Sequence, residues 1–540
     1  MRKLWISSFL ALAVLSTLLI TVGVIAELFL KAPPGLMPAT VGLSLFIVVL
    51  QFVLSPYFIR AIFKIRWTEP SAVSPEFAEW YQATAAELKI GNPTFGIVDS
   101  GMPNAFTFGR FVKDARVVVS RGLLEALDEQ ELRAVVAHEF GHIRNRDFIA
   151  MTLAQAIVLV IYYCARMLLQ NNNGHTKLAG VVAYAIYWVA QLGALAFSRI
   201  REFMADRVSA ETVHDPDALA SALVKIGYGL ARYKTQEDEA IKAQAKSKDK
   251  TKVRRPAFGL GSLGAWGIAP VASFDSVAGW CGPDGRPTNE AFSLVSAWDL
   301  KNAWARYGEL KSTHPLIARR VSALMALPES KNSFQVGKFE KPNWSRFAQE
   351  WLIYAFPSLV GVAVWLAFLS SETVNPLLLS GGLAAVFAGM FVRMFLVYPR
   401  KSFADAKVID LLSDVESSHV SPIPCTLRGK FVTRAEGGLW WSSNLVFEDE
   451  TGIIIAQRKL FMPAWLTRWG WQKAKSFVGD ADVVVTGWYR RFGHPTIEIN
   501  TIDRDSTSEH FKSPYWIRSQ ITLAVCFAVS LCIFLVALTS

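Results

Sequence analysis

Two histidines four residues apart, His138 and His142 in the stretch "AVVAHEFGHIRNRD", enclose a glutamate, Glu139. On an α-helix residues i and i+4 share a face, so both imidazoles can point a ring nitrogen at one metal ion. Glu139 lies about 100° further round the helix, where its carboxylate can act on a water at that ion instead of binding the ion. This is the spacing of the His-Glu-x-x-His signature, in which a polarised water is the nucleophile. Two plainer readings compete. The helix can be a surface element in which Glu139 pairs with Arg144 or Arg146. The match can also be chance, expected on the order of one time in a hundred for a chain with eight histidines. Against the surface reading stand Val135, Val136, Ala137, Phe140 and Ile143, which leave little polar helix around the histidines. Buried imidazoles need partners, and one metal ion serves both.

A catalytic zinc site takes three protein ligands and keeps a fourth position open. The candidate third ligand is Glu202 in "SRIREFMADRVSA", about sixty residues onward and across two apolar stretches. Two membrane crossings return the chain to the starting face, whereas one would strand Glu202 about 30 Å away. Asp206, four residues after Glu202, shares its helical face and can hydrogen-bond a ligand histidine from behind the metal. The competing reading pairs Glu202 and Asp206 with Arg199, Arg201 or Arg207 at a membrane interface.

The elements that must position these residues are largely membrane elements. The chain is 52% hydrophobic and only 19% charged over 540 residues, which points to a multi-pass α-helical membrane protein. Seven stretches reach the roughly 20 residues a crossing needs: Leu4 to Leu30, Met37 to Phe63, Phe148 to Leu169, Leu178 to Phe197, Trp351 to Leu369, Asn375 to Tyr398 and Ile517 to Leu538. The first reads as an uncleaved anchor, since its apolar region is long and no clear cleavage site follows. Basic residues gather at or just after the ends of the second, fourth and sixth stretches, at Arg60, Lys64, Arg66, Arg199, Arg201, Arg393, Arg400 and Lys401. The positive-inside rule then places the N-terminus and the large soluble segments in the cytoplasm. The same residues account for most of the net charge of +11, so nucleic acid is not an expected partner. Five cysteines without paired spacing give neither a disulfide framework nor a cysteine zinc site.

The expected organisation places two membrane helices in residues 1–66 and the first part of a catalytic domain, with a small β-sheet and the histidine helix, in 67–147. Asp128 and Glu131 resemble a capping box at the start of that helix, with Asp in place of the usual Ser or Thr. Residues 148–198 form two membrane helices or a hairpin, and 199–350 the second part of the catalytic domain. The charged and glycine-rich run at about 231–267 reads as a mobile insertion. Two further membrane helices occupy 351–400. A β-rich cytoplasmic module, barrel or sandwich and OB-like, occupies 401–515, with the turn signals "DETG" and "FGHP" between its strands. A last membrane helix occupies 516–540.

"AHEFGH", "SRIREFMADRVSA" and "STHPLIARRVSAL", in this order and with hydrophobic pairs around the first, resemble the HtpX-type membrane zinc metalloproteases, relatives of the integral-membrane CAAX prenyl protease. The resemblance covers roughly residues 1–330. It implies a gluzincin-like helical catalytic domain at the membrane surface, one Zn2+ held by His138, His142 and Glu202, and Glu139 as general base. "MPNAFTFGR" is similar to the family segment that serves as an edge strand for substrate, where an extended peptide adds by main-chain hydrogen bonds. Asn104 would there hold a substrate carbonyl, or is simply a turn residue after Pro103. His314 matches a His-Pro segment in which it, or the arginine around Arg319, stabilises the oxyanion; the alternative is an ordinary helix start. The remaining five histidines lack partners at ligand spacing.

The expected activity is a zinc-dependent endopeptidase of a bacterial inner membrane, with a cytoplasmic active site. Its substrates would be misfolded proteins or the cytoplasmic parts of membrane proteins, a quality-control role implied by the resemblance. The alternatives are a CAAX-type processing protease, or a membrane scaffold whose metal site is vestigial. The family pattern leaves the C-terminal 200 or so residues unexplained.

Overall fold

The computed structural model describes residues 52–99, 103–226, 289–370, 376–399, 402–434, 445–457, 482–504 and 510–539, apart from isolated positions within them, and scattered residues of 18–50. Most of the first two apolar stretches and the expected insertion at 231–267 lie outside the described residues. The contacts divide the chain into two compact units, Met1–Tyr233 with Pro256–Phe274 and Tyr307–Val336, and Lys234–Arg255 with Asp275–Arg306 and Gly337–Ser540.

The first unit holds a four-stranded sheet in the order β1-β2-β4-β3: β1 is Arg66–Trp67, β2 Thr94–Val98, β3 Ala105–Phe108 and β4 Arg116–Ser120. Pairing is parallel between β2 and β4 and antiparallel elsewhere. β-Branched Val117, Val118 and Val119 are fully buried in β4, as suits a strand paired on both sides. β3 stands at the edge of this sheet. Helix α1, Pro75–Glu87, starts at Ser74, whose hydroxyl accepts from Phe77 N at 2.9 Å, with proline in the first turn.

Helix α2, Glu129–Arg144, carries the histidines. Its start is the capping box expected from sequence: Asp128 accepts from Glu131 N at 2.9 Å and Glu131 accepts from Asp128 N at 3.0 Å. Phe140 on its far face meets Tyr81 of α1 edge-on at 4.8 Å, with Phe77 and Phe95 behind. Truncating a buried phenylalanine of this kind costs about 3–5 kcal/mol, so this aromatic cluster fixes where α2 lies.

Helix α3, Asp147–Gln170, and helix α4, Gly174–Val213, form a hairpin. Ile157, Ile161 and Leu168 pack with Ala183, Ala190, Ala194 and Phe197, small residues on one side allowing a close approach. α4 is continuous over 40 residues, about 60 Å, twice the hydrocarbon thickness of a bilayer. Its apolar half is long enough to cross one, and its polar half continues beyond that length. Helix α5, Ile317–Met325, completes the unit.

The second unit has three long apolar helices, α6 Trp344–Ser370, α7 Pro376–Val397 and α8 Tyr515–Thr539. Gly381 and Gly382 let α7 sit against Phe534 of α8 and Val364 of α6. Among the described residues five helices are long and apolar enough to cross a membrane, α3, α4 and these three. They correspond to the third to seventh apolar stretches.

Strands β6 Ile423–Arg434, β7 Leu445–Asp449, β8 Gly452–Gln457, β9 Val483–Phe492 and β10 His494–Arg504 follow the short β5, Ala404–Asp405, and precede β11, His510–Lys512. The pairing closes a ring, β6-β7-β8-β10-β9 and back to β6, antiparallel except between β8 and β10. That is the strand order of an OB barrel. Gly429 and Gly487 stand where a Cβ would lie 2.2 Å from Glu448 O and 2.3 Å from Glu498 O; only glycine lets the strands come this close. Helix Asn289–Lys301 precedes His314 in sequence yet belongs to this unit: Trp298 Nε1 donates to Ser417 O at 2.9 Å, and Arg491 donates to Val295 O at 3.1 Å.

Candidate metal centre

α2 and α4 cross at Gly141 and Ala205, where a Cβ on the glycine would fall 2.9 Å from Ala205 Cα. Ser209 Oγ of α4 donates to Ala134 O of α2 at 2.6 Å and ties the crossing one turn away. This contact brings His138 and His142, which flank Gly141, up to Glu202 and Asp206, which flank Ala205.

His138 Nε2 and His142 Nε2 lie 3.2 Å apart, each 3.7 Å from an oxygen of Glu202. The other ring nitrogens are taken by carboxylates: His138 Nδ1 is 2.9 Å from Asp206 Oδ1, and His142 Nδ1 is 2.6 Å from Asp147 Oδ2. A neutral imidazole has one N–H. Spent on the carboxylate, it leaves both Nε2 lone pairs and the Glu202 carboxylate aimed at one point, an arrangement of acceptors that a cation resolves. Zinc–nitrogen bonds of about 2.0–2.1 Å in a tetrahedron put two nitrogens roughly 3.3 Å apart, so the donor set fits such an ion. The three side chains form a possible metal-holding group with ligand atoms within 4.8 Å of one another.

The surroundings are buried and charged. His138 is fully buried and Glu139, Glu202 and Asp206 nearly so. Burial above all holds the His138 imidazole below its ordinary range, although Asp206 pulls the other way, and the neutral form is the one that binds metal. Arg320 of α5, also fully buried, donates to Asp206 from Nε at 2.9 Å and Nη2 at 2.5 Å, and stands 3.4 Å from Glu202 Oε2. Burial alone would lower its pKa, but Asp206 and Glu202 outweigh that and raise it. Arg320 is the fixed counter-charge that lets two carboxylates share this interior.

Glu139 makes no pair with Arg144 or Arg146; its carboxylate accepts from Thr107 Oγ1 of β3. The edge strand therefore runs beside the residue expected to act as base. Asn104, just before β3, is tied through its backbone, its N–H donating to Ser120 Oγ and its carbonyl accepting from Ser120 N, both at 2.8 Å, while Oδ1 is buried without a hydrogen-bond partner. His314 is buried with Nδ1 at 3.0 Å from Glu202 Oε2. Its loop is pinned by Arg199, which donates to Glu309 O and Ser312 O at 2.8 Å. Arg319 faces Glu309 at 2.5 Å instead of the centre, and it is the next residue, Arg320, that reaches Glu202. The arginines that competed for Glu202 and Asp206 thus have other contacts, with Arg207 on Glu211 at 2.8 Å and Arg201 on Asp147 and Asn145 O.

Sequence reasoning missed Asp147 and Arg320. Asp147 was on view five residues after His142, but it reads as the first residue of a membrane helix. Arg320 has no spacing relation to the histidines and only the fold brings it in.

Residues 72–327 match the profile of Peptidase family M48. The chain is 35% identical over 224 residues to a Protease HtpX homolog of Methanothermobacter thermautotrophicus, covering 42% of this chain and 86% of that protein. It is 32% identical over 233 residues to a Protease HtpX homolog of Pyrococcus furiosus, covering 41% and 78%. A Protease HtpX homolog 2 of Methanosarcina acetivorans is 39% identical over 174 residues, covering 31% and 59%. Among solved structures, S. mikatae Ste24p is similar at 17% identity with a TM-score of 0.32, over 60% of this chain and 66% of that one. By the extent of the matches to the first two relatives, and with the histidine helix inside the matched profile, this chain belongs to peptidase family M48, beside the HtpX-type proteases.

Proposed function

We propose that the chain is a zinc-dependent endopeptidase of the cell membrane that cuts cytoplasmic segments of misfolded or membrane proteins. One observation carries the reading: two imidazoles, each backed by a carboxylate, converge with Glu202 on one point, and Glu139 follows His138 on the same helix, bonded to Thr107 of β3. A zinc ion bound there would polarise the scissile carbonyl and acidify water.

The chain's own groups supply the rest. His138, His142 and Glu202 would hold the ion, with Asp206 and Arg320 fixing His138 and Glu202. Glu139 would accept a proton from the attacking water and pass it to the leaving amine, its orientation set by Thr107. β3 would align an extended substrate by main-chain pairing, with Asn104 at its start to meet a substrate carbonyl. His314, beside Glu202, would face the developing oxyanion. The basic residues Arg199 and Arg201, at the polar end of the second hairpin helix, support a cytoplasmic active site.

Purified Glu139→Gln is expected to keep one zinc per chain and to lose casein cleavage by a factor of about 100 or more, while Glu202→Ala loses the zinc. Full activity in Glu139→Gln would sink the hydrolytic mechanism and leave a scaffold with a metal site. Cleavage of a prenylated peptide in place of casein would move the activity to the processing class.

A further inference from the structure

The two ligand histidines are held by different parts of the molecule. His138 is fully buried, with Asp206 and Arg320 around it. His142 is the more open one, its side chain 17% exposed, and its Nδ1 is met by Asp147 alone among the contacts found for it. Asp147 is the first residue of α3, not part of α2. Between the helices Arg146 adopts the left-handed conformation, φ 56°, uncommon for a residue with a side chain. That turn brings the Asp147 carboxylate back over the last turn of α2. Its second oxygen meets the guanidinium of Arg201, which also donates to Asn145 O at 2.5 Å. Arg201 sits on α4 directly before Glu202. Asp147 and Arg201 are both buried, so neither is a casual surface pair.

We infer that Asp147, locked in place by Arg201, is a positioning residue that fixes the tautomer and ring orientation of His142 and so couples metal affinity to the packing of α3 against α4. The inference rests on the metallopeptidase reading. A proton held on Nδ1 by the carboxylate leaves Nε2 as the lone pair for the ion and fixes the plane of the ring. The clamp also ties the two hairpin helices together: one ion pair joins the first residue of α3 to the residue of α4 next to Glu202. A purely structural role, capping α3 and closing the hairpin, predicts something different. Removing the charge would then lower stability but leave the affinity of each folded molecule for zinc unchanged.

The test uses the full-length protein in detergent. Zinc affinity is measured by chelator competition, cobalt is substituted for zinc to read its visible absorption bands, and thermal unfolding is followed without metal. Asp147→Asn keeps the size and one acceptor oxygen, and Asp147→Ala removes both. Zinc affinity is expected to fall about 10–100-fold in Asp147→Ala and by less in Asp147→Asn, with altered cobalt bands in both. If Asp147→Ala does not fold, Asp147→Asn decides. Wild-type affinity and cobalt bands in a folded Asp147 variant overturn the inference alone. A wild-type protein that binds no zinc overturns the metallopeptidase reading and this inference with it.

Discussion

Each unit buries arginine beside carboxylate, and the two do it differently. In the barrel Arg490 pairs with Glu498 at 3.0 Å and donates to His419 O and Val397 O, both at 2.6 Å. Arg491 beside it donates to Leu412 O at 2.6 Å and Val295 O at 3.1 Å. These cations serve as brackets for helices and a loop, their donors directed at backbone carbonyls. Around α2 the arrangement is inverted: Arg320 satisfies carboxylates, and lone pairs of two imidazoles and Glu202 are left facing one another. Burial of charge alone does not mark a functional site. What marks it is the convergence of two imidazole Nε2 atoms and a carboxylate on one point.

The contrast can be broken by substitution. Arg320→Met should cost about 3–5 kcal/mol, because it leaves Asp206 and Glu202 as uncompensated buried charges, and should abolish zinc binding. Arg490→Met should cost a similar amount in denaturant unfolding yet leave zinc content at one per chain. Loss of zinc in both variants would mean that the barrel arginine supports the centre as well.

A smaller effect sharpens the geometry. Gly141→Ala adds a Cβ that meets Ala205 backbone at 2.9 Å, so α2 and α4 must separate. The expected cost is about 1–3 kcal/mol, accompanied by weaker zinc binding in the folded fraction, measured by chelator competition. Unchanged affinity would show that the ligands tolerate a wider crossing.

The smallest effect comes from Asp217, a carboxylate satisfied by the chain itself. It accepts from Lys331 N and Ser333 N at 2.8 Å and Ser330 Oγ at 2.9 Å. Burial would raise its pKa, but these hydrogen bonds outweigh that and lower it. Its contribution is therefore present above the unfolded value, about 3.9, and lost as pH falls through the lower folded value. Asp217→Asn should destabilise by about 1 kcal/mol at pH 7 and approach wild type in acid, with no change in zinc.

The cluster of His138, His142 and Glu202 was legible because it follows from local rules: a four-residue helical repeat for His138 and His142, another for Glu202 and Asp206, and an even number of apolar stretches between them. The capping box of α2, the apolar stretches from the third onward and the barrel strands were legible for the same reason. Asp449, for instance, accepts from Thr451 N and Gly452 N to make the turn that "DETG" suggests. Long-range partnership was not legible. Strand alternation does not reveal that β8 runs parallel to β10, and a helical stretch at 289–301 carries no sign that Trp298 and Val295 belong with the barrel. Asp147 escaped for a subtler reason: its role depends on the backbone sign of Arg146, and arginine is not a residue that announces a left-handed turn.

The unbroken course of α4 has one more consequence. The segment long and apolar enough to cross a bilayer and the segment that carries Glu202 share a single helical phase, with no loop between Phe197 and Glu202 to absorb an error. One residue inserted there would rotate the carboxylate by about 100° and lift it about 1.5 Å, turning it away from both imidazoles. The apolar stretch and the position of Glu202 are in this sense written in the same register, and the number of residues between them is fixed by the helix.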